Sequence, residues 1–279
     1  AKNSALKFIS HNIILPDGSK TMGDQRQLLS RTRAWLSIKE SLDQFLPESK
    51  EHPAPLKVVD LGCLEGGYAT EFARQGYQTL GIEARVSNLN KCLHVKEQLS
   101  LPNLDFVQDD ARNLDQHGPF DIVLCYGILY HLDDPVAFLH KVFQQTNRML
   151  LLHTHYAPEY DWRYELGLVN RYVIAPIQNR THFLEHAKNY QLSRLTTNEG
   201  YRGRWYTEWP SHSSPQHIEK NYLSSYNNPR SFWLCRTDLT KALSDVGFRH
   251  VFERFDHVSK GEWTKYPRFY SRSMFIALK

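Results

Sequence analysis

Asp60, Gly62, Glu65, Gly66 and Gly67 all fall within VVDLGCLEGG, Val58 to Gly67, where an apolar run breaks into a glycine turn. A strand that enters such a turn and leaves as a helix offers a ligand closely approachable backbone and the positive end of a helix. Both suit a nucleotide-like molecule. A dinucleotide would want glycine at the place of Leu64, so that its pyrophosphate could lie against the backbone. Asp60 and Glu65 would also set negative charge beside that diphosphate, which is unfavourable at short range. The turn therefore favours a ligand carrying a cationic amine. Two further clusters could do chemistry. In HTHYAPEYDWRYE, His153 and His155 share one face of an extended segment, with Asp161 and Glu165 downstream. His-x-His arises readily in a chain with 14 histidines, so no metal is expected, and the pair is read as lining an acceptor pocket. In EGYRGRWYTEWPSH, Arg202, Arg204, Trp205 and Tyr206 interleave cations with aromatic faces. That pattern binds an anionic or planar acceptor, or a nucleobase with its phosphate; equally, the aromatics form a local core and the arginines pair with acids.

The elements that must position these residues alternate. Strands are predicted at KVVDLG, QTLGIEAR, LDFVQDD, FDIVLCYG and RMLLLHT, separated by helical segments YATEFARQ, RVSNLNKCLHVKEQLSL and DPVAFLHKVFQQT. Strand alternating with helix implies an α/β fold built on a parallel sheet covered on both faces. A later helix, RTDLTKALSDVGF, and two strands, HVFERFD and RSMFIALK, complete it. Residues 1–53 read as a turn and a helix from about Asp24, capping a core of residues 54–155. Residues 156–235 form an aromatic-rich insertion, and 236–279 return to the sheet. Within Tyr156–Trp233, nine Lys or Arg face seven Asp or Glu, a near balance that favours a lid over a nucleic-acid platform.

The 279 residues are 41% hydrophobic and 23% charged, with a net charge of +4. No apolar run approaches the roughly 18 residues of a membrane span, so no membrane partner is expected. The four cysteines, Cys63, Cys92, Cys125 and Cys235, lack the paired spacing of a zinc site or a disulfide framework. With no secretory pattern in AKNSALKFIS, they are read as reduced thiols of a cytoplasmic protein.

VVDLGCLEGG resembles motif I, D-x-G-x-x-x-G, of the class I S-adenosylmethionine-dependent methyltransferases, and LGIEAR, VQDDAR and FDIVLCYGILYHLDDP resemble its later motifs in order and spacing. The resemblance implies a seven-stranded, mostly parallel Rossmann-like sheet with helices on both faces. It implies S-adenosylmethionine as cofactor, with S-adenosylhomocysteine as product. It assigns Asp60, Gly62, Cys63 and Gly66 to the first cofactor turn. Glu83, beside Ala84, would accept from the ribose hydroxyls; Asp110, beside Ala111, would accept from the adenine amine; Tyr126 and Gly127 would lie beside the methionine end. Methyl transfer is an in-line displacement, for which the protein aligns a nucleophile, excludes water and, where the nucleophile carries a proton, offers a base. His131 lies just past the fourth strand, on the edge that faces the ligand crevice of an open α/β sheet. It is the candidate base, unless it only starts the next helix; Tyr130 is the second candidate, for pocket, substrate or packing. A private aromatic lid favours a small-molecule acceptor with an oxygen or nitrogen nucleophile. GILYHLDDP and HNIILPDGSKT also resemble the tRNA wobble-uridine carboxymethyltransferases, which implies an RNA-modifying alternative using a carboxylated cofactor. Such a cofactor would want a cation near its methyl position, for which Arg31, Arg33 and Arg202 are candidates. The third reading is a protein that binds the cofactor without turnover.

Overall fold

The computed structural model describes residues 6–47, 54–160, 192–209, 213–222, 224–254 and 271–279. In chain order they form α1 (Arg33–Phe45), β1 (Lys57–Leu61), α2 (Gly67–Arg74), β2 (Gln78–Glu83), α3 (Val86–Leu99), β3 (Leu104–Gln108), β4 (Phe120–Tyr126), α4 (Pro135–Gln145) and β5 (Thr146–His155). Then follow β6 (Thr196–Asn198), β7 (Tyr201–Thr207), α5 (Pro215–Lys220), β8 (Arg230–Leu234), α6 (Arg236–Asp245), β9 (His250–Arg254) and β10 (Arg272–Leu278). All five of the early strands lie where the apolar runs place them.

Seven strands make one sheet in the order β3-β2-β1-β4-β5-β10-β9. β1 to β5 are parallel, and β10 runs antiparallel to both β5 and β9. The central strands are apolar on both faces, as a doubly covered parallel sheet demands. Alternate residues separate cleanly: Val59, Val123, Leu150 and Leu152 join one buried cluster with α4 and α6, while Val58, Ile122, Leu124 and Leu151 join another with α1 and α2. A ligand crevice is expected where strand order reverses, at the carboxyl ends of β1 and β4.

β6, β7 and β8 form a small antiparallel sheet within the insertion. It shares the main core: Phe232 and Leu234 are buried in the same cluster as β4 and β5, and the Phe232 N–H donates to the Leu132 carbonyl at 2.8 Å. Residues 161–191, including Asp161 and Glu165, lie outside the described residues. No helix among the described residues is long and apolar enough to cross a membrane.

The N-terminal segment departs from expectation. The helix starts at Arg33, not near Asp24, because the Asn12 side chain holds residues 22–26 in a turn: its amide donates to the Gly23 and Arg26 carbonyls and its oxygen accepts from the Met22 N–H. Thr32 then caps α1, its hydroxyl accepting from the Trp35 N–H.

Glu65 also departs from the sequence reading. Its carboxylate does not face the ligand crevice. It is fully buried and accepts from the backbone N–H groups of Ile9, Ser10 and His11, and from Lys91 Nζ at 2.8 Å. Burial pushes this carboxyl up, but Lys91 and the His11 and Ser10 N–H groups outweigh it and hold it below the usual range. The contact straps residues 9–11 across the turn before α2. Glu65→Ala leaves a buried ammonium and three N–H groups without their acceptor. Equilibrium urea unfolding is expected to show a loss of about 3–5 kcal/mol; a variant within about 1 kcal/mol of the parent, the worth of an exposed pair, would disprove the clamp.

Candidate active site

A cavity of about 490 Å³ opens at the carboxyl edge of the sheet, across β1, β2 and β4. That volume is in the range of small-molecule sites. The β1–α2 turn makes its floor. Gly62 has φ +62°, and a Cβ there would lie 2.1 Å from Ile128 Cδ1, so the backbone must come close at this point. Gly66 has φ +75° and caps α2, with the Phe106 ring and the Cys92 thiol packed against it. It shapes the turn from behind, whereas Gly62 and Cys63 line the cavity.

Four acids at the ends of successive strands line the cavity; of these, Asp109 is taken up by His117 and the Asn113 amide. Asp60 is 2% exposed, and its Oδ2 accepts from the Ala69 N–H at 3.1 Å. Burial pushes its carboxyl up to about 8, opposed by that N–H and reinforced by Glu83. Glu83 accepts from the Leu64 and Arg85 N–H groups, one at each oxygen and both at 2.8 Å; burial nonetheless raises it too. Asp110 is bound by Arg112 and by the Asn227 amide at 2.9 Å. Burial pushes Asp110 up, but Arg112 more than offsets this and keeps it below the usual range. Ala84 and Ala111 line the wall beside these acids.

The insertion closes this end. Arg85 Nη2 lies 3.0–3.1 Å from the carbonyls of Asn221, Ser224 and Ser225, and its guanidinium sits over the Tyr226 ring. The Ser87 hydroxyl donates to Glu219 at 2.8 Å. The N-terminal strap closes the other side. The Gly67 N–H, one of the free donors at the start of α2, donates to His11 Nδ1 at 3.0 Å. Burial pushes the His11 imidazole down to about 4, Glu65 opposing and Lys91 assisting. The ring is therefore neutral, with its proton on Nε2.

At the tip of β4 the walls turn aromatic. Tyr126 stacks on His153 with centroids 4.0 Å apart, and Tyr68 packs on Tyr126 at 4.7 Å. Gly127 has φ +88°, which turns the chain toward Tyr130 and His131. Tyr130 meets His155 edge-on at 4.6 Å. Burial pushes the Tyr68, Tyr126 and Tyr130 hydroxyls up, so all three are neutral.

His131 Nδ1 lies 2.9 Å from Glu208 Oε1. Glu208 also accepts from the Ser225 N–H and the Ser231 hydroxyl. Burial pushes its carboxyl up, but His131 and these donors outweigh that and keep it ionised. A carboxylate only accepts, so in the neutral ring Nδ1 carries the proton and Nε2 is the acceptor.

Of the residues expected from sequence, Asp60, Gly62, Cys63, Glu83, Ala84, Asp110, Ala111, Tyr126, Gly127, Tyr130, His131 and His155 line this one cavity. The others do not. His153 lies behind Tyr126, its Nε2 accepting from Arg272 Nε at 3.1 Å. Arg202 is held by Asp238 through its backbone and guanidinium. Arg204 is fully buried, donating to the Pro158 and Ser193 carbonyls. Trp205 packs between Phe232 and Arg230, and Tyr206 stacks on Trp233. The arginine and aromatic run is thus the framework of the small sheet. Glu208, Asn227 and Arg272 are functional candidates that motif reading missed. An acid isolated among aromatics, as Glu208 is, must find a partner when buried, and an antiparallel last strand sets its first residue level with the end of β5; those were the signals present.

A family model described as a methyltransferase domain matches residues 30–253. The ubiquinone biosynthesis O-methyltransferase of Rickettsia akari is 23% identical over 200 residues, covering 68% of this chain and 76% of that protein. Its namesake from Acinetobacter baylyi is 34% identical over 85 residues, covering 30% of this chain and 36% of the relative; in that match the chain spans about a third of the relative's length. Among solved structures, the N-terminal domain of EvdMO1, crystallised in the presence of SAH and D-fucose, superposes with a TM-score of 0.59 at 21% identity, covering 94% of this chain and 87% of that one. The chain belongs to the methyltransferase-domain family, and its sheet is the class I fold of the enzymes that use S-adenosylmethionine.

Proposed function

We propose that this protein transfers a methyl group from S-adenosylmethionine to a hydroxyl of a small-molecule acceptor, with His131 as the proton acceptor. The observation that carries the reading is the His131–Glu208 pair, with His131 on the wall of a cavity whose other end holds carboxylates that suit an adenosyl ligand. That set fits the cofactor chemically. Asp110 with Ala111 suits the adenine amine, Glu83 with Ala84 the ribose hydroxyls, and buried Asp60 a cationic group, while Gly62 and Cys63 give close backbone. When bound, the cofactor supplies a methyl group on a positively charged sulfur.

The chain's own part is alignment, exclusion of water and one proton. The lid anchored on Arg85 and the strap anchored on Glu65 flank the cavity and narrow its access to bulk solvent. Tyr126, Gly127 and Tyr130 line the end where transfer takes place. His131 takes the acceptor's proton on Nε2 as the oxygen becomes nucleophilic, and Glu208 favours the imidazolium that results. Glu208 is a positioning residue, acting through His131. The small acceptor is supported by the cavity's volume of about 490 Å³ and by the arginines of the insertion, Arg202 and Arg204, being bound to protein groups.

His131→Ala is expected to bind S-adenosylhomocysteine within about twofold of the parent and to lose about 10²–10⁴ in transfer rate. Glu208→Gln is expected to lose rate as well, with the pH optimum of the remaining activity displaced. The assay uses methyl-labelled cofactor with a small-metabolite extract in one tube and bulk tRNA in another. Label in the metabolite fraction supports the reading; label in tRNA overturns it. Absence of transfer to either fraction, with cofactor binding intact, would leave a binding protein without turnover.

Asp60 makes a separate expectation. Its carboxyl sits near 8 when folded and near 3.8 when unfolded, so the folded chain retains a proton that the unfolded chain has released between those values. The stabilisation is full below about pH 4 and is lost as pH rises toward 8. Asp60→Asn stays neutral throughout, so the variant's melting temperature relative to the parent should climb between pH 5 and 8 and level off above. A constant difference across that range would show that Asp60 is ionised in the free protein.

A further inference from the structure

Arg272 opens β10, level with His155 at the end of β5, and lines the cavity at its aromatic end. One guanidinium donor is committed: Nε donates to His153 Nε2 at 3.1 Å, behind the Tyr126 ring. Among the described residues no carboxylate pairs with it. The other two arginines on the cavity wall differ. Arg85 serves three carbonyls of the lid, and Arg112 is bound to Asp110. The acids that line the cavity are likewise committed, Asp60 and Glu83 to backbone N–H groups, Asp109 to His117 and Asn113, and Asp110 to Arg112.

A half-buried guanidinium among the neutral hydroxyls of Tyr68, Tyr126 and Tyr130 loses hydration without gaining a counter-charge. A ligand that brings the anion removes that cost. The guanidinium fork matches a carboxylate with two parallel hydrogen bonds, and the stacked and edge-on rings around it offer faces for a planar body. Arg272 and His131 both flank Tyr130: the rings of Tyr130 and His131 are 4.3 Å apart, and the Arg272 charge acts on the Tyr130 hydroxyl.

We propose that Arg272 is the receptor for a carboxylate on the acceptor, so that the substrate class is a planar hydroxy acid presenting its hydroxyl to His131 and its carboxylate to Arg272. This rests on the methyltransferase reading above. The same carboxylate chemistry could come from the amino-acid tail of the cofactor or from a carboxylated cofactor, and the experiment separates these sources.

The protein is saturated with S-adenosylhomocysteine and titrated calorimetrically with 4-hydroxybenzoate, 4-hydroxycinnamate and 4-hydroxyphenylacetate, each beside its primary amide. In the parent, at least one acid is expected to bind tenfold or more tightly than its amide. In Arg272→Gln that margin should shrink to within twofold, with S-adenosylhomocysteine affinity also within twofold; Arg272→Lys should keep part of the margin. Equal binding of acids and amides, or no binding of any acid, overturns the proposal. A tenfold loss of S-adenosylhomocysteine affinity in Arg272→Gln would give the cation to the cofactor's own carboxylate. A tenfold preference of the parent for carboxy-S-adenosylmethionine over S-adenosylmethionine, lost in Arg272→Gln, would place the anion on the cofactor; either result overturns the acceptor assignment. A parent protein that takes up no S-adenosylhomocysteine would fail earlier, at the methyltransferase reading itself.

Discussion

Inside the β1–α2 turn, the buried carboxylate of Glu65 accepts three successive N–H groups from a segment more than fifty residues upstream and closes an ion pair with Lys91 on α3. The turn, the strap and α3 are thereby held in one arrangement. With Glu65 directed away from the crevice, Asp60 is left as the acid of this turn that faces the ligand. The strap also delivers the neutral His11 ring to the start of α2, where it takes up a helix donor that a phosphate would claim in a dinucleotide fold. One buried charge therefore shapes the floor of the cavity and its chemical preference together.

The insertion is bound to the core at the points where chemistry is proposed. Asn227 reaches Asp110, the Arg85 guanidinium holds three lid carbonyls beside Glu83, and Glu208 and Asn228 grip His131 from two sides, through its ring and its carbonyl. A lid fastened this way cannot shift without disturbing hydrogen bonds at both ends of the cavity. The small sheet is anchored where it meets the core, with Phe232 and Leu234 packed into the same apolar cluster as β4 and β5.

The sheet was legible in the sequence because its signal is local. Apolar runs of strand length, glycines at the turn and proline at the start of α4 each act within a few residues, and the order of acids along successive strand ends follows from them. The direction of Glu65 was not legible, since it depends on backbone N–H groups far upstream that no side-chain type announces. The role of Arg204 stayed open for a related reason: a cation amid aromatics looks the same whether it faces a ligand or, as here, lies fully buried on backbone carbonyls. Glu208 and Arg272 come to the cavity only through pairings across some 77 and 119 residues, a separation beyond the reach of motif spacing. His131 could be placed from the end of β4 alone, whereas its partner could not.

β10 lies between β5 and β9, although it follows β9 in the chain. The cavity it helps to wall also draws on Ser10 and His11, near the other end of the described residues. During synthesis the apolar faces of β1 to β5 and the helices around them can collapse as they emerge. The site cannot: its aromatic end has no Arg272 until β10 has left the ribosome and paired with β5. Closing contacts so distant along the chain is slow, so the cavity matures after the strands that form its floor.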